Sequence, residues 1–234
     1  MPTSAPALLA LGFVLGLRHA LDVDHLAAVS TIVSERRSAW SGSIVGALWG
    51  LGHTAALLVA GLGVVALHRE IPPAVARALE LGVACMLVGL GLGLLRTLLA
   101  GATLHVHAHG HGGRTHVHPH VHAGSKEQHD HGPRARRPFL VGLVHGLAGS
   151  AALMLAVLAT IPSPALAMAY VAVFGAGSIG GMMAMSTLLG LPFHLAARRA
   201  VRLERWLRAC AAVASVAVGL VLAWQVGVDA GLLV

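Results

Sequence analysis

Along the chain, apolar runs long enough to cross a bilayer alternate with short polar stretches. Residues 7–17 are apolar, as are most residues from Leu26 to Val33, and further apolar runs lie at about 43–67, 78–100, 139–161, 165–193 and 209–227. A membrane helix needs about 20 such residues. The pattern therefore predicts an all-α, polytopic membrane bundle of six transmembrane helices. The first run is interrupted by Arg18-His19-Ala20-Leu21-Asp22-Val23-Asp24-His25, a cluster of ionisable side chains about midway along a spanning segment. Charge at that depth is costly and usually functional.

Composition agrees with this class: 56% of residues are hydrophobic and 11% charged, and the mean hydropathy is +0.79. The N-terminus has no basic stretch or small-residue cleavage site of the kind that marks a signal peptide. Glycines recur at small-xxx-small spacing, as in Gly12/Gly16, Gly42/Gly46/Gly50, Gly142/Gly146 and Gly177/Gly181, which suits closely packed helices. Cys85 and Cys210 have neither redox nor zinc-finger spacing and are expected to be buried structural thiols.

The net charge of +7 is explained by its placement. With six alternating helices, Arg36, Arg37, Arg114, Lys126, Arg134, Arg136, Arg137, Arg198, Arg199, Arg202, Arg205 and Arg208 fall on one side, and only Arg69 and Arg77 on the other. The positive-inside rule puts the first side in the cytoplasm and both termini outside. Charge here encodes orientation in the inner or plasma membrane, and nucleic acid is not an expected partner. The basic stretch 198–208, with Trp206, is expected at the inner headgroup region.

The chain also repeats itself with a period near 125 residues. Leu15-Gly16-Leu17-Arg18-His19-Ala20-Leu21 aligns with Val141-Gly142-Leu143-Val144-His145-Gly146-Leu147, and Gly50-Leu51-Gly52-His53-Thr54 with Gly175-Ala176-Gly177-Ser178-Ile179. Residues 1–101 and 137–234 would each hold three helices. An odd number per repeat inverts one half relative to the other, the plan of many secondary transporters with midplane substrate sites. The symmetry makes His145 the counterpart of His19.

Between the halves, residues 102–136 hold ten of the sixteen histidines: His105, His107, His109, His111, His116, His118, His120, His122, His129 and His131. With almost no apolar content this cytoplasmic loop is expected to be disordered without metal. Its imidazoles would form a secondary, low-affinity store for transition metals.

Imidazole and carboxylate together suit a divalent transition metal. On a continuous helix, at about 100° per residue, His19, Asp22 and His25 share one face within about 120° and Asp24 points elsewhere. The expected site joins His19, Asp22, His25 and His53 at mid-depth, with His145 approaching from the other half. Asp24 is expected to support the site by pairing with Arg18, which requires a kink near residues 21–24.

The motif at 18–25, followed by Leu51-Gly52-His53-Thr54, resembles the nickel/cobalt permease family, especially its shorter urease-accessory and hydrogenase-accessory relatives. That resemblance implies that His19, Asp22, Asp24 and His25 bind metal, with His53 on the next helix. The long permeases carry an extra N-terminal helix and acidic motifs on later helices. Residues 142–153 and 174–190 contain no acid, and His145, Ser178 and Ser186 stand there instead.

The expected activity is therefore transport of Ni²⁺ and/or Co²⁺, with no resident cofactor and no enzymatic reaction. Zn²⁺ is the competing ion, and cytoplasmic metallochaperones are candidate acceptors. A zinc transporter of the cation-diffusion type would favour His/Asp pairs at i, i+4 on two helices, a spacing the cluster lacks. A membrane metalloprotease would need His-Glu-x-x-His, which is absent from the sequence. Efflux and a non-transporting metal-binding protein are the alternatives to uptake.

Overall fold

The polar interruption breaks the first span. In the computed structural model, which describes residues 4–36, 38–67, 71–100, 104–111, 114–121, 136–147, 160–161 and 163–230, helix α1 runs Ala5–His19 and α2 runs Val23–Ser34. The two meet at 55°. Leu21 N–H donates to the Arg18 carbonyl and Asp22 N–H to the His19 carbonyl, tightening the end of α1. Asp22 then adopts extended backbone (φ −62°, ψ 143°) as N-cap of α2. Helix α1 has already ended at His19, so Ala20 and Leu21 form the joint and Asp22 opens the second helix.

Four further helices are long and apolar enough to cross a membrane. They are α3 (Ala39–Leu67), α4 (Pro73–Leu99), α6 (Pro164–Arg199) and α7 (Val201–Asp229). Helix α5 (Arg136–Gly146) opens the remaining expected span. That span, 139–161, is described only to Leu147 and at its last two residues; its middle lies outside the described residues. The chain is thus an all-helical, multi-pass membrane protein outside its histidine-rich segment, with up to five spans among the described residues once the bent pair counts as one.

Close helix approach is built on glycine. Helix α1 packs along α6, α3 along both α5 and α6, and α4 along α7. A Cβ added at Gly16 would collide with the Phe174 carbonyl oxygen, and one at Gly142 with that of Trp49. Gly52 and Gly177 stand in the same relation to the carbonyls of Phe139 and Phe13. On the outer helices a Cβ at Gly91 would lie 2.5 Å from the Ala212 oxygen, and one at Gly219 2.8 Å from that of Ala84. In each pair of contacts, every residue lies 125–128 positions from its counterpart. Trp49, Val29, Val33, Leu87 and Met182 fill the space between these seams.

Two expectations need correction. Cys85 and Cys210 are exposed rather than buried. A small apolar thiol on the outer surface of a membrane span faces lipid, which solvates it as well as a protein core would. Within the segment 102–136, expected to be disordered, strands β1 (Leu104–His111) and β2 (Arg114–Val121) form an antiparallel hairpin. Its register sets His105 opposite His120, His107 opposite His118 and His109 opposite His116. The His-x-His alternation has the period of two that a strand requires, so the composition that denies the segment a core still permits strand pairing. His122, His129 and His131 lie outside the described residues.

Candidate metal centre

The break between α1 and α2 delivers His19 and His25 to the same place from two helix ends. His19 is the last residue of α1, and His25 lies in the first turn of α2. His53 is the fifteenth of the 29 residues of α3, about 21 Å from either end at 1.5 Å per residue. His145 comes from α5. All four imidazoles are buried, with His25 and His53 at 0% exposure. The His25 ring is central: its centroid lies 4.4 Å from that of His19, 5.3 Å from His53 and 4.1 Å from His145.

Each aspartate holds a histidine. Asp22 Oδ2 lies 2.8 Å from His19 Nδ1, and Asp22 makes no side-chain cap bond to α2. Asp24 performs that capping from within the first turn, its Oδ1 accepting from the His25 N–H at 2.9 Å. The same oxygen lies 3.1 Å from His25 Nδ1, and Oδ2 lies 2.9 Å from His145 Nε2. At His19 the carboxylate on Nδ1 orients the ring, whereas Asp24, set between His25 and His145, can orient both rings or itself offer an oxygen to an ion.

The remaining ring nitrogens lie close together. His19 Nε2 and His53 Nε2 are 3.1 Å apart, close to the roughly 3.3 Å edge of a tetrahedron drawn with metal–nitrogen bonds of about 2.0–2.1 Å. His25 Nε2, His53 Nδ1 and His145 Nδ1 are buried with no hydrogen-bond partner among the described residues, an arrangement that costs free energy unless something else binds there. Two three-residue sets have ligand atoms within 4.8 Å of one another: His19, His25 and His53, and Asp24, His25 and His145. The C-terminal end of α1, with its partial negative charge, adds a field favourable to a cation.

All six expected residues therefore meet in one cluster, with two reassignments. Asp22 contacts His19 rather than completing an N/O/N face, because the helix ends before it. Asp24, expected to pair with Arg18, instead contacts His25 and His145 among the described residues. The kink expected near 21–24 is present, but it turns Asp24 inward, while Arg18 is exposed. Two ring partners escaped the sequence reading: Trp49, 6.1 Å from His25 and 5.7 Å from His145, and Phe174, 5.5 Å from His19. Each stands four residues before His53 or its repeat counterpart Ser178, one turn away on the same face, a spacing that marks both.

Urease accessory protein UreH of Bacillus sp. (strain TB-90) is 33% identical to the chain over 230 residues, covering 97% of this chain and 94% of that protein. The chain belongs to the UreH family. Membership of the UreH family agrees with the resemblance carried by the motifs at 18–25 and 51–54. No family profile matches the chain, and no solved structure matches it.

Proposed function

We propose that this UreH-family protein carries Ni²⁺, and Co²⁺ as a close alternative, into the cytoplasm through the buried His/Asp cluster. The observation that carries the reading is the convergence of four buried imidazoles and two carboxylates beside a broken span, at the mid-length of α3. Isolated ionisable groups inside a membrane are expensive, and a discontinuous helix at mid-depth is a recurring way of building a transporter's substrate site. The donors are nitrogen and carboxylate without thiolate, a set that favours Ni²⁺, Co²⁺ or Zn²⁺ over Mg²⁺. UreH is named as a urease accessory protein, and a urease's metal supply would be served by such a carrier.

The reading includes six spans in two inverted repeats. The glycine contacts that recur at offsets of 125–128 residues support it, as do the matching rings, Phe174 beside His19 and Trp49 beside His145. Arg137, at the start of α5, lies 3.2 Å from Glu35, just past the end of α2. That pair supports placing both helix ends on one membrane face, with the basic loops and the histidine-rich segment in the cytoplasm. Trp40 and Trp206, 76% and 71% exposed, suit the headgroup belt of the same face. Inward movement of a divalent cation down an inside-negative potential yields on the order of 4–5 kcal/mol at 100 mV, so uptake needs no further coupling. Metal accumulation by cells expressing the protein, against cells expressing His25→Ala, tests the direction: a rise dependent on His25 supports uptake, and a fall supports efflux.

A further inference from the structure

The two three-residue sets share a single member, His25. We infer that they are two successive positions for one ion, His19/His25/His53 and Asp24/His25/His145, with His25 passing the ion between them. The inference rests on the carrier reading above and divides its single cluster into two stations.

Of the two ring nitrogens of His25, Nδ1 lies 3.1 Å from Asp24, whereas Nε2 is buried with no hydrogen-bond partner among the described residues. On one side of the ring, His19 Nε2 and His53 Nε2 face each other at 3.1 Å. On the other, Asp24 Oδ2 and His145 Nε2 stand 2.9 Å apart. The first station is made of imidazoles alone, with Asp22 behind His19. The second contains a carboxylate in the ligand set itself. Two dications sharing one imidazole would repel strongly at this depth, so the stations are occupied alternately. An ion at one station has its next ligands already within reach, and His25 stays bound through one ring nitrogen while the other ligands exchange, so that no ring proton has to be transferred. A single deep six-ligand cage would hold the ion; two overlapping three-ligand sets allow it to move on.

The stations differ in donor type, and Co²⁺ reports this in its visible absorption. The full chain, purified in detergent, would be titrated with Co²⁺ in a chelator buffer that holds free metal too low to load the histidine-rich segment. His53→Gln is expected to confine the ion to the nitrogen/oxygen station and His145→Gln to the three-nitrogen station. Each variant keeps one intact station and would still bind one ion, at least one of the two within about twofold of the wild-type affinity because the stations are alternatives for the same ion, with spectra that differ from each other and bracket that of the wild type. Both would lose most Co²⁺ flux in proteoliposomes, because each retains a station without its exit. Gln fills much of the imidazole volume, and a monodisperse elution profile checks the fold. If either variant fails to fold, the wild-type spectrum decides: two components whose proportions shift with temperature support two stations, and one invariant component overturns them. Identical spectra for the two variants, or flux near the wild-type rate in either, also overturns the inference. Wild-type protein that shows both spectra but no flux would refute the carrier reading while leaving two binding positions in place.

Discussion

Removing the Asp22 carboxylate tests how the cluster is organised, because the structure assigns Asp22 to His19 rather than to the ion. Asp22→Ala breaks the 2.8 Å contact to His19 Nδ1 and leaves every nitrogen of the His19/His25/His53 set in place. Loss of such an outer-shell partner lowers metal affinity about 10- to 100-fold, or roughly 1.4–2.7 kcal/mol. The Asp22 side chain is 46% exposed, so water can take over part of its role at His19 and the loss should fall near tenfold. Asp22→Asn keeps a hydrogen-bonding group without the charge and should lose less. His19→Ala removes a nitrogen of the set itself and should lose more than either. The assay is competition between purified protein and a chelator for Ni²⁺, at free-metal levels too low to load the histidine-rich segment. Equal losses for Asp22→Ala and His19→Ala would show that Asp22 is a direct ligand, and an unchanged affinity would show that the His19 contact is idle.

The packing seams make a paired prediction. Gly16→Ala and Gly142→Ala each drive a Cβ into a backbone carbonyl, and should each lower stability by about 1–3 kcal/mol, whereas Gly89→Ala, with nothing within 4 Å, should not. Thermal unfolding in detergent checks this, and a tolerated Gly142→Ala beside a disruptive Gly16→Ala would argue against the repeat. Deleting residues 105–131 should leave a folded protein, since the hairpin's extensive pairing is between its own strands; it should abolish most weak Ni²⁺ binding and change accumulation only modestly. Complete loss of transport would place that segment in the pathway. Protons and metal compete for the same imidazole nitrogens, which bind only when neutral. Ni²⁺ flux at clamped potential should therefore fall as pH drops from about 7 to 5.5; a rise would indicate proton-coupled import, and a flat profile would mean histidines do not limit the rate.

Much of the fold was legible because its signals are local. The apolar runs locate the spans, and a seven-residue match places Gly142 and His145 opposite Gly16 and His19. The identity of the cluster was legible too, since His19, Asp22, Asp24, His25 and His53 are costly anywhere in a membrane and meet only by serving one another. The roles of the two aspartates were not. A wheel drawn through residues 18–25 presumes a continuous helix, and nothing between Ala20 and Asp22 is proline or glycine. The break coincides with Asp22 adopting the N-cap conformation beside a His19 ring that also meets His53 and Phe174, both distant in the sequence. Once the chain turns there, Asp24 moves from the far face to the centre. The hairpin was obscured for a different reason. His-x-His alternation satisfies both a strand's period and a disordered segment's polarity, and only pairing distinguishes them.

Initial Ni²⁺ entry into liposomes bearing the purified protein, driven by an inside-negative potential set with a potassium gradient, tests the central claim most directly. At 100 mV a freely permeating dication would accumulate on the order of 10³-fold at equilibrium. The account predicts entry that steepens with the imposed potential and is abolished by His25→Ala, with that variant still inserted and monodisperse. Entry that ignores the potential, or that persists without His25, would contradict it.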